Sequence, residues 1–451
     1  MGRKMKKRTF LKLGAAAGAH SLLRPLASWG AEKKLRNWAG NIEYSTEKLT
    51  PAATAAEAQR FVRAQEKFKV LGTAHCFNTI ADSRNQFLSV RPMEEISVDA
   101  GARTVTVGGG ITYGKLAPPL DAKGFALHNL ASLPHISVAG ACTTATHGSG
   151  EKNGNLASAV QGLELINAAG EVVELSRAKD GETLAGAVVG LGALGVISKV
   201  TLAIQPTFQV KQYVYENMPL AEMQKHFDEI EGSGYSVSLF TDWRNKNINE
   251  VWVKSRVDGG AAFAAPPEFF GARLAKKNLH PIAEISAENC TEQMGVPGPW
   301  YERLPHFRMG FTPSAGKELQ SEFFVPRRNA VEAILAVEKL NAQISPLLLI
   351  TEIRTIAADD LWMSPCYQQD SVAIHFTWKP DWPGVRAALP EIEKTLAPYG
   401  VRPHWGKLFT IDPATLRERY KRLPDFVGLA KRFDPNGKFR NEFLDKYVFG
   451  S

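Results

Sequence analysis

Leu71-Gly72-Thr73-Ala74-His75-Cys76-Phe77-Asn78 is the first of two stretches on which the reading of this chain turns. The second is Asn129-Leu130-Ala131-Ser132-Leu133-Pro134-His135-Ile136-Ser137-Val138-Ala139-Gly140, running on to Thr146-His147-Gly148-Ser149-Gly150. Both are loops of small and hydroxylated residues with single histidines, set beside β-branched apolar runs. Glycine and alanine let a backbone come close to a ligand, and the free N–H groups of such loops can point at an anionic group. A pyrophosphate-bearing cofactor suits that surface.

Outward from these loops, Lys69-Val70-Leu71 reads as a strand feeding the first, after a helix-like segment from Thr54 to Lys67. Ile96–Asp99 and Thr104–Val107 read as short alternating strands, Tyr113–Lys123 as a helix, and Leu163–Asn167 with Val172–Leu175 as a hairpin around Ala168-Ala169-Gly170. Gly190-Leu191-Gly192-Ala193-Leu194-Gly195 matches the dinucleotide fingerprint G-x-G-x-x-G, which needs a strand before it and a helix after it. Here a helix-like run, Glu182–Val189, comes first and a strand-like run, Val196–Leu202, follows, so a Rossmann NAD site is rejected. Without a strict βαβ rhythm the fold class expected is α+β. From about Pro206 longer aromatic strands take over, such as Val237–Trp243 and Val251–Lys254, with a loop expected from Gly259 to Pro281. They mark a second domain.

Three segments there carry convergent polar groups. In Thr351-Glu352-Ile353-Arg354-Thr355 the strand period puts Glu352 and Arg354 on one face, and in Val372-Ala373-Ile374-His375-Phe376-Thr377-Trp378 it does the same for His375 and Thr377. His404-Trp405-Gly406-Lys407 adds a third pair. Each has an ordinary structural explanation: a solvated ion pair, a satisfied core histidine, an exposed lysine. The set is more informative than its members.

The two loops resemble the flavin-binding half of the vanillyl-alcohol-oxidase superfamily, and within it the alditol (xylitol) oxidases, from about Asn37 to about Phe449. Cys290-Thr291-Glu292-Gln293 and Pro297-Gly298-Pro299-Trp300-Tyr301-Glu302-Arg303-Leu304-Pro305-His306-Phe307 resemble the same oxidases. The resemblance implies a two-domain FAD-binding PCMH-type fold: an FAD domain over 32–205, a mixed-sheet substrate cap over 206–400 and a segment over 401–451 that returns to the flavin. It implies FAD bonded covalently to His75, and contacts to FAD from Thr73, Ala74, Cys76, Phe77, Asn78, Ser132, Ser137, Gly140, Thr143, Thr144, Thr146, His147, Val196 and His404. It also implies a polyol pocket of Ser132, Glu352, Arg354, Thr377 and Lys407, with Arg354, Lys407 and His375 as the catalytic candidates. The family's Gly-x-Gly-His-Ser pattern is altered here to Gly72-Thr73-Ala74-His75-Cys76, which restricts the turn and weakens one hydrogen bond. Phe433-Asp434-Pro435-Asn436-Gly437-Lys438-Phe439 resembles a closing turn of the superfamily and reads as structural.

The residue types suit alcohol oxidation. A hydride leaves carbon while the hydroxyl loses its proton, so fixed cations aimed at the developing charge lower the barrier. A buried carboxylate that accepts from two hydroxyls discriminates against deoxygenated analogues. The readings that follow are an alditol oxidase using O2, a periplasmic dehydrogenase passing electrons to a quinone or cytochrome, an aldonolactone oxidase, or an exported carbohydrate-binding protein that has lost the reaction.

The chain of 451 residues, 44% hydrophobic and 22% charged, has the composition of a globular enzyme. No apolar run reaches the roughly 18 residues of a membrane span, so a soluble protein is expected. Arg3, Lys4, Lys6, Lys7 and Arg8 precede Phe10-Leu11-Lys12-Leu13 and a weakly apolar alanine-rich run, the layout of a signal peptide over 1–31. Lys7-Arg8-Thr9-Phe10-Leu11-Lys12 resembles a twin-arginine (Tat) signal with lysine for the first arginine, which implies a Tat translocon partner and a periplasmic destination. Residues 1–31 hold seven Lys or Arg and no acid, so their removal takes the net charge from +8 to +1. No basic cluster interleaved with aromatics then remains to favour a nucleic acid. Cys76, Cys142, Cys290 and Cys366 form no Cys-x-x-Cys pair, so no metal site is expected and four packed thiols are.

Overall fold

The computed structural model describes residues 34–258, 263–310 and 318–450; the export segment expected at 1–31 lies outside them. Residues from Arg36 onward form one compact unit. Inside it, local chemistry sets the elements. Thr54 caps the helix Ala55–Ala64 through its hydroxyl to the Glu57 N–H, and Glu57 reaches back to the Ala53 N–H at 2.7 Å, close to a capping box. The helix buries Ala58 and Val62.

Two sheets dominate the first half, beside a short pairing of Phe125–Ala126 with Gln205–Pro206. Leu49–Pro51 and Lys69–Val70 flank Phe87–Ser89 in a small parallel sheet. Ile96–Asp99, Thr104–Gly108, Val196–Ala203, Val160–Ile166 and Val172–Ser176, in that spatial order, form an antiparallel sheet. The expected hairpin around Ala168-Ala169-Gly170 is present, with Gly170 at φ +77°. The helix Arg177–Val188 precedes the strand Val196–Ala203, the reverse of a Rossmann order, as expected. Lys69 ties this half to the chain's end: its buried amine donates to the carbonyls of Gly192 and Phe439, both at 2.9 Å. Asp434 closes the turn before Phe439 by accepting from the N–H groups of Lys438 and Phe439.

The second half is built on a ten-stranded antiparallel sheet. Its central strands run in the order Gln209–Pro219, Asn247–Arg256, Ser236–Thr241, Leu348–Ile356, Ser371–Trp378, Leu319–Pro326. The chain enters this sheet just after 206, and Arg402–Pro403 still pairs with Leu319–Pro326, so the sheet continues past 400. The loop expected from Gly259 to Pro281 is corrected in part. Glu268–Phe269 and Ala272–Leu274 form a hairpin on the sheet edge. Its two turn residues, Phe270 and Gly271, both have positive φ, +47° and +79°, the requirement of a tight primed turn. Phe-Gly is an unusual pair for such a turn, and the burial of Phe269 and Ala272 holds it.

The helix Leu220–Glu231 packs on this sheet and buries Glu231, whose Oε2 accepts from the Thr355 hydroxyl at 2.9 Å. Burial pushes the Glu231 carboxyl up to about 8. The unfolded chain loses this proton near pH 4.3 while the fold keeps it, so Glu231 lowers stability as pH rises between those values. Glu231→Gln is expected to exceed the parent protein by about 2–5 kcal/mol in urea unfolding at pH 8, narrowing to about 1 kcal/mol at pH 5. A pH-independent difference would exclude the buried charge as its source.

Candidate active site

Register decides which polar groups meet. Glu352, His375 and Glu322 lie directly opposite one another on three adjacent strands, so one imidazole stands between two glutamates on one face. The next row on that face sets Gln320 against Thr377. These five residues line one wall of a cavity of ≈ 380 Å³, and the His75 and Ser132 loops line the other.

Glu322 is 2% exposed and has three partners. Arg354 Nη2 donates to its Oε1 at 2.8 Å; His147 Nε2 lies 3.1 Å from Oε1 and His375 Nδ1 3.3 Å from Oε2, both as close contacts without hydrogen-bond alignment. Burial alone would raise this carboxyl, but His147, His375 and Arg354 together hold it well below the usual range. Glu352 behaves alike: burial opposes ionisation, and Arg354 and His306 overcome it. Arg354 Nε lies 3.5 Å from Glu352 Oε1 and Nη1 3.4 Å from the Ser132 hydroxyl, so one guanidinium spans both glutamates and the Ser132 loop.

Burial lowers the pKa of both His375 and Lys407. The Lys407 amine donates to Gln320 Oε1 and sits 5.0 Å over the Phe77 ring, two contacts that favour its charged form. Gly406 N–H donates to His404 Nδ1 at 3.0 Å, which places the His404 proton on Nε2. Phe77 N–H donates to the Gly406 carbonyl at 2.7 Å, clamping the His404 turn to the first loop.

In that loop Ala74 sits at φ +56°, the left-handed region where glycine is usual. The alanine is therefore tolerated with strain rather than by a different turn. His75 stacks on Trp38 with centroids 5.3 Å apart, and burial pushes it down to about 4, so the ring is neutral at pH 7. Its Nδ1 is buried on the cavity wall and has no hydrogen-bond partner among the described residues. A Cβ on Gly72 or Gly140 would come within 3.0 or 2.6 Å of Ser137 Oγ, and Ser137 N–H donates to the Thr73 hydroxyl at 3.2 Å. These closely approached loops and the orphaned imidazole nitrogen fit FAD.

Of the expected site residues, all but two line this cavity: Thr73, Ala74, His75, Cys76, Phe77, Ser132, Ser137, Gly140, Thr143, Thr144, Thr146, His147, Glu352, Arg354, His375, Thr377, His404 and Lys407. Asn78 does not. It caps a short helical turn and donates to the carbonyls of Trp405 and Lys407, a structural clamp. Val196 packs instead in a separate cluster with Phe68, Leu88 and Phe439, and Leu191 and Gly192 of its loop reach the cavity. Sequence reasoning missed Glu322, Gln320 and His306. The period-2 signal for the first two was present in Glu318-x-Gln320-x-Glu322.

An FAD-binding domain model matches residues 49–176, and a D-arabinono-1,4-lactone oxidase model matches residues 313–447. An alditol oxidase from Streptomyces sp. (strain IKD472 / FERM P-14339) is 46% identical over 418 residues, covering 92% of this chain and 99% of that protein. The chain belongs to the alditol oxidase family of FAD-dependent oxidoreductases. The enzyme is more distantly similar to an L-gulono-1,4-lactone dehydrogenase from Mycobacterium tuberculosis, 27% identical over 91% of this chain and 98% of that protein. In fold it is similar to cholesterol oxidase from B. sterolicum, with a TM-score of 0.74 at 16% identity, over 92% of this chain and 96% of that one.

With Glu322 replaced by Gln, the Arg354 cation keeps only Glu352 as its counter-charge, and His147 and His375 lose the carboxylate they face. Glu322→Gln is expected to lower the unfolding free energy by about 3–5 kcal/mol at pH 7, as for one member of a buried ion cluster. A loss below about 1 kcal/mol in urea unfolding of the flavin-loaded variant would mean that other groups balance those charges.

Proposed function

We propose that the enzyme oxidises the primary hydroxyl of an alditol such as xylitol or sorbitol to the aldose, with O2 as acceptor, reduced to H2O2. The observation that carries this reading is the convergence of Ser132, Glu352, Arg354, His375, Thr377 and Lys407 on the one cavity that the His75 loop also lines. FAD, when bound, supplies the hydride acceptor. His75 holds it covalently in this reading, supported by the neutral, buried imidazole with its partnerless Nδ1.

The roles follow from the contacts. His375, with Nδ1 toward Glu322, can turn an unprotonated Nε2 to the cavity and take the hydroxyl proton. Lys407, held by Gln320 and the Phe77 ring, stays a cation and with Arg354 stabilises the developing negative charge. Glu352 accepts from polyol hydroxyls, and Thr377 and Ser132 act as neutral partners. The basic N-terminal stretch around Lys7-Arg8 supports export of the folded protein to the periplasm. Recovery of full-length chain in the cytosolic fraction alone would refute that part.

The test is the visible spectrum of purified protein taken anaerobically, after xylitol, and after air. Flavin bands are expected to bleach and then return, and colour is expected to stay with the chain on acid precipitation except in His75→Ala. Lys407→Met is expected to slow bleaching by roughly 10²-fold or more while flavin content holds. Bleaching by an aldonolactone but not by xylitol would move the substrate to the lactones, and slow return in air would point to another acceptor.

A further inference from the structure

Behind Glu352 lies a buried lysine that the roles above leave unused. Lys254 stands on the strand Asn247–Arg256, one strand beyond the neighbour of Glu352, and is 1% exposed. Among the described residues no carboxylate forms an ion pair with it. Its amine instead meets three acceptors: the Leu304 carbonyl, the Pro305 carbonyl at 3.2 Å and His306 Nδ1 at 3.1 Å. Three acceptors match the three N–H groups of an ammonium. Burial pulls the amine down to about 7, and the Glu352 charge works the other way.

As an ammonium Lys254 only donates, and the ionised Glu352 carboxylate only accepts, so both leave Nδ1 of a neutral His306 bare and its hydrogen on Nε2. Burial pushes His306 down to about 4, so the ring has a single proton to place. Nε2 then donates to Glu352 Oε1 at 2.7 Å. The rings of Trp252 and Phe240 stand edge-on to the imidazole at 5.1 and 5.5 Å and offer it no competing polar partner. Oε1 is also the oxygen that Arg354 Nε approaches at 3.5 Å. Among the described residues Oε2 has no hydrogen-bond or ion-pair partner, while Glu352 lines the cavity. The same segment is fixed to the opposite wall, since Phe307 N–H donates to the Ser132 carbonyl at 3.4 Å.

We propose that Lys254 and His306 are positioning residues of the substrate site: Lys254 sets the His306 tautomer, and His306 clamps Glu352 through Oε1 so that Oε2 is presented to a substrate hydroxyl. The inference rests on the alditol reading of the cavity. A lysine that merely filled the core would leave substrate affinity alone. The clamp makes affinity depend on a donor at the position of Nε2.

The experiment compares the flavin-loaded parent protein with Lys254→Met, His306→Leu and His306→Gln. Glutamine can accept from Lys254 through its carbonyl and donate to Glu352 through its amide, so it preserves both hydrogen bonds. His306→Leu and Lys254→Met are expected to raise KM for xylitol on the order of tenfold or more, with a smaller change in kcat and full flavin content. His306→Gln is expected to stay within about threefold of the parent, and His306→Leu should add little once Glu352→Gln is present. Glutamine as damaging as leucine, or an unchanged KM in loaded His306→Leu, overturns the clamp. A readout independent of turnover is the side-chain nitrogen spectrum of the 15N-histidine-labelled parent, with the His306 signal identified by its loss in His306→Gln. An Nε2–H tautomer is expected, and an Nδ1–H tautomer overturns the proposal. An Nε2–H signal in a protein that no alditol bleaches would fell the substrate reading and leave the tautomer assignment standing.

Discussion

The Glu322 carboxylate, at 2% exposure, is the constraint around which the active-site wall is arranged. A charge this deep must be balanced within a few ångströms, because burying it unpaired costs more than a single domain's net stability can absorb. The balance comes from three separate parts of the chain: His375 from the adjacent strand, Arg354 from the strand beyond it, and His147 from the long glycine-rich loop of the first half. Satisfying one carboxylate thus fixes the seam between the two halves of the molecule. It also holds Arg354 where the same guanidinium reaches Glu352 and Ser132.

The antiparallel sheet converts this constraint into a layout. Its register sets Glu352, His375 and Glu322 in one row and Thr377 and Gln320 in the next, so acceptors and donors face the cavity as a graded array. The opposite wall has another character. It is made of backbone, small side chains and one neutral imidazole, with Ala74 held in a left-handed conformation. A surface of close-approaching backbone suits a large rigid cofactor, and a ladder of ionised side chains suits a flexible, hydroxyl-rich molecule.

Much of this was legible in the sequence wherever the physics is local. Strand periodicity placed Glu352 with Arg354 and His375 with Thr377, and the order of helix and strand around Gly190–Gly195 excluded a Rossmann site. Resemblance carried the two loops. Glu322 was not read, because a glutamate inside Leu319–Pro326, a strand buried throughout, gains meaning only from partners 32 residues and more away in sequence. His306 was in view as part of a motif, yet its role depends on Lys254 and Glu352, each about fifty residues distant. Asn78 and Val196, both expected at the cofactor, neighbour the cavity in sequence while their side chains serve the packing behind it.

The bonds from Lys69 to the Phe439 carbonyl and from Asn441 to the carbonyls of Thr79, Ile80 and Asp82 join positions about 360 to 370 residues apart. The loop bearing His75 is therefore braced from behind by residues made hundreds of positions later. During synthesis that loop exists for nearly the whole length of the chain without its support. Contacts between positions so far apart in sequence carry the largest loop-closure cost, which makes the brace behind the cofactor cradle one of the most non-local parts of the fold.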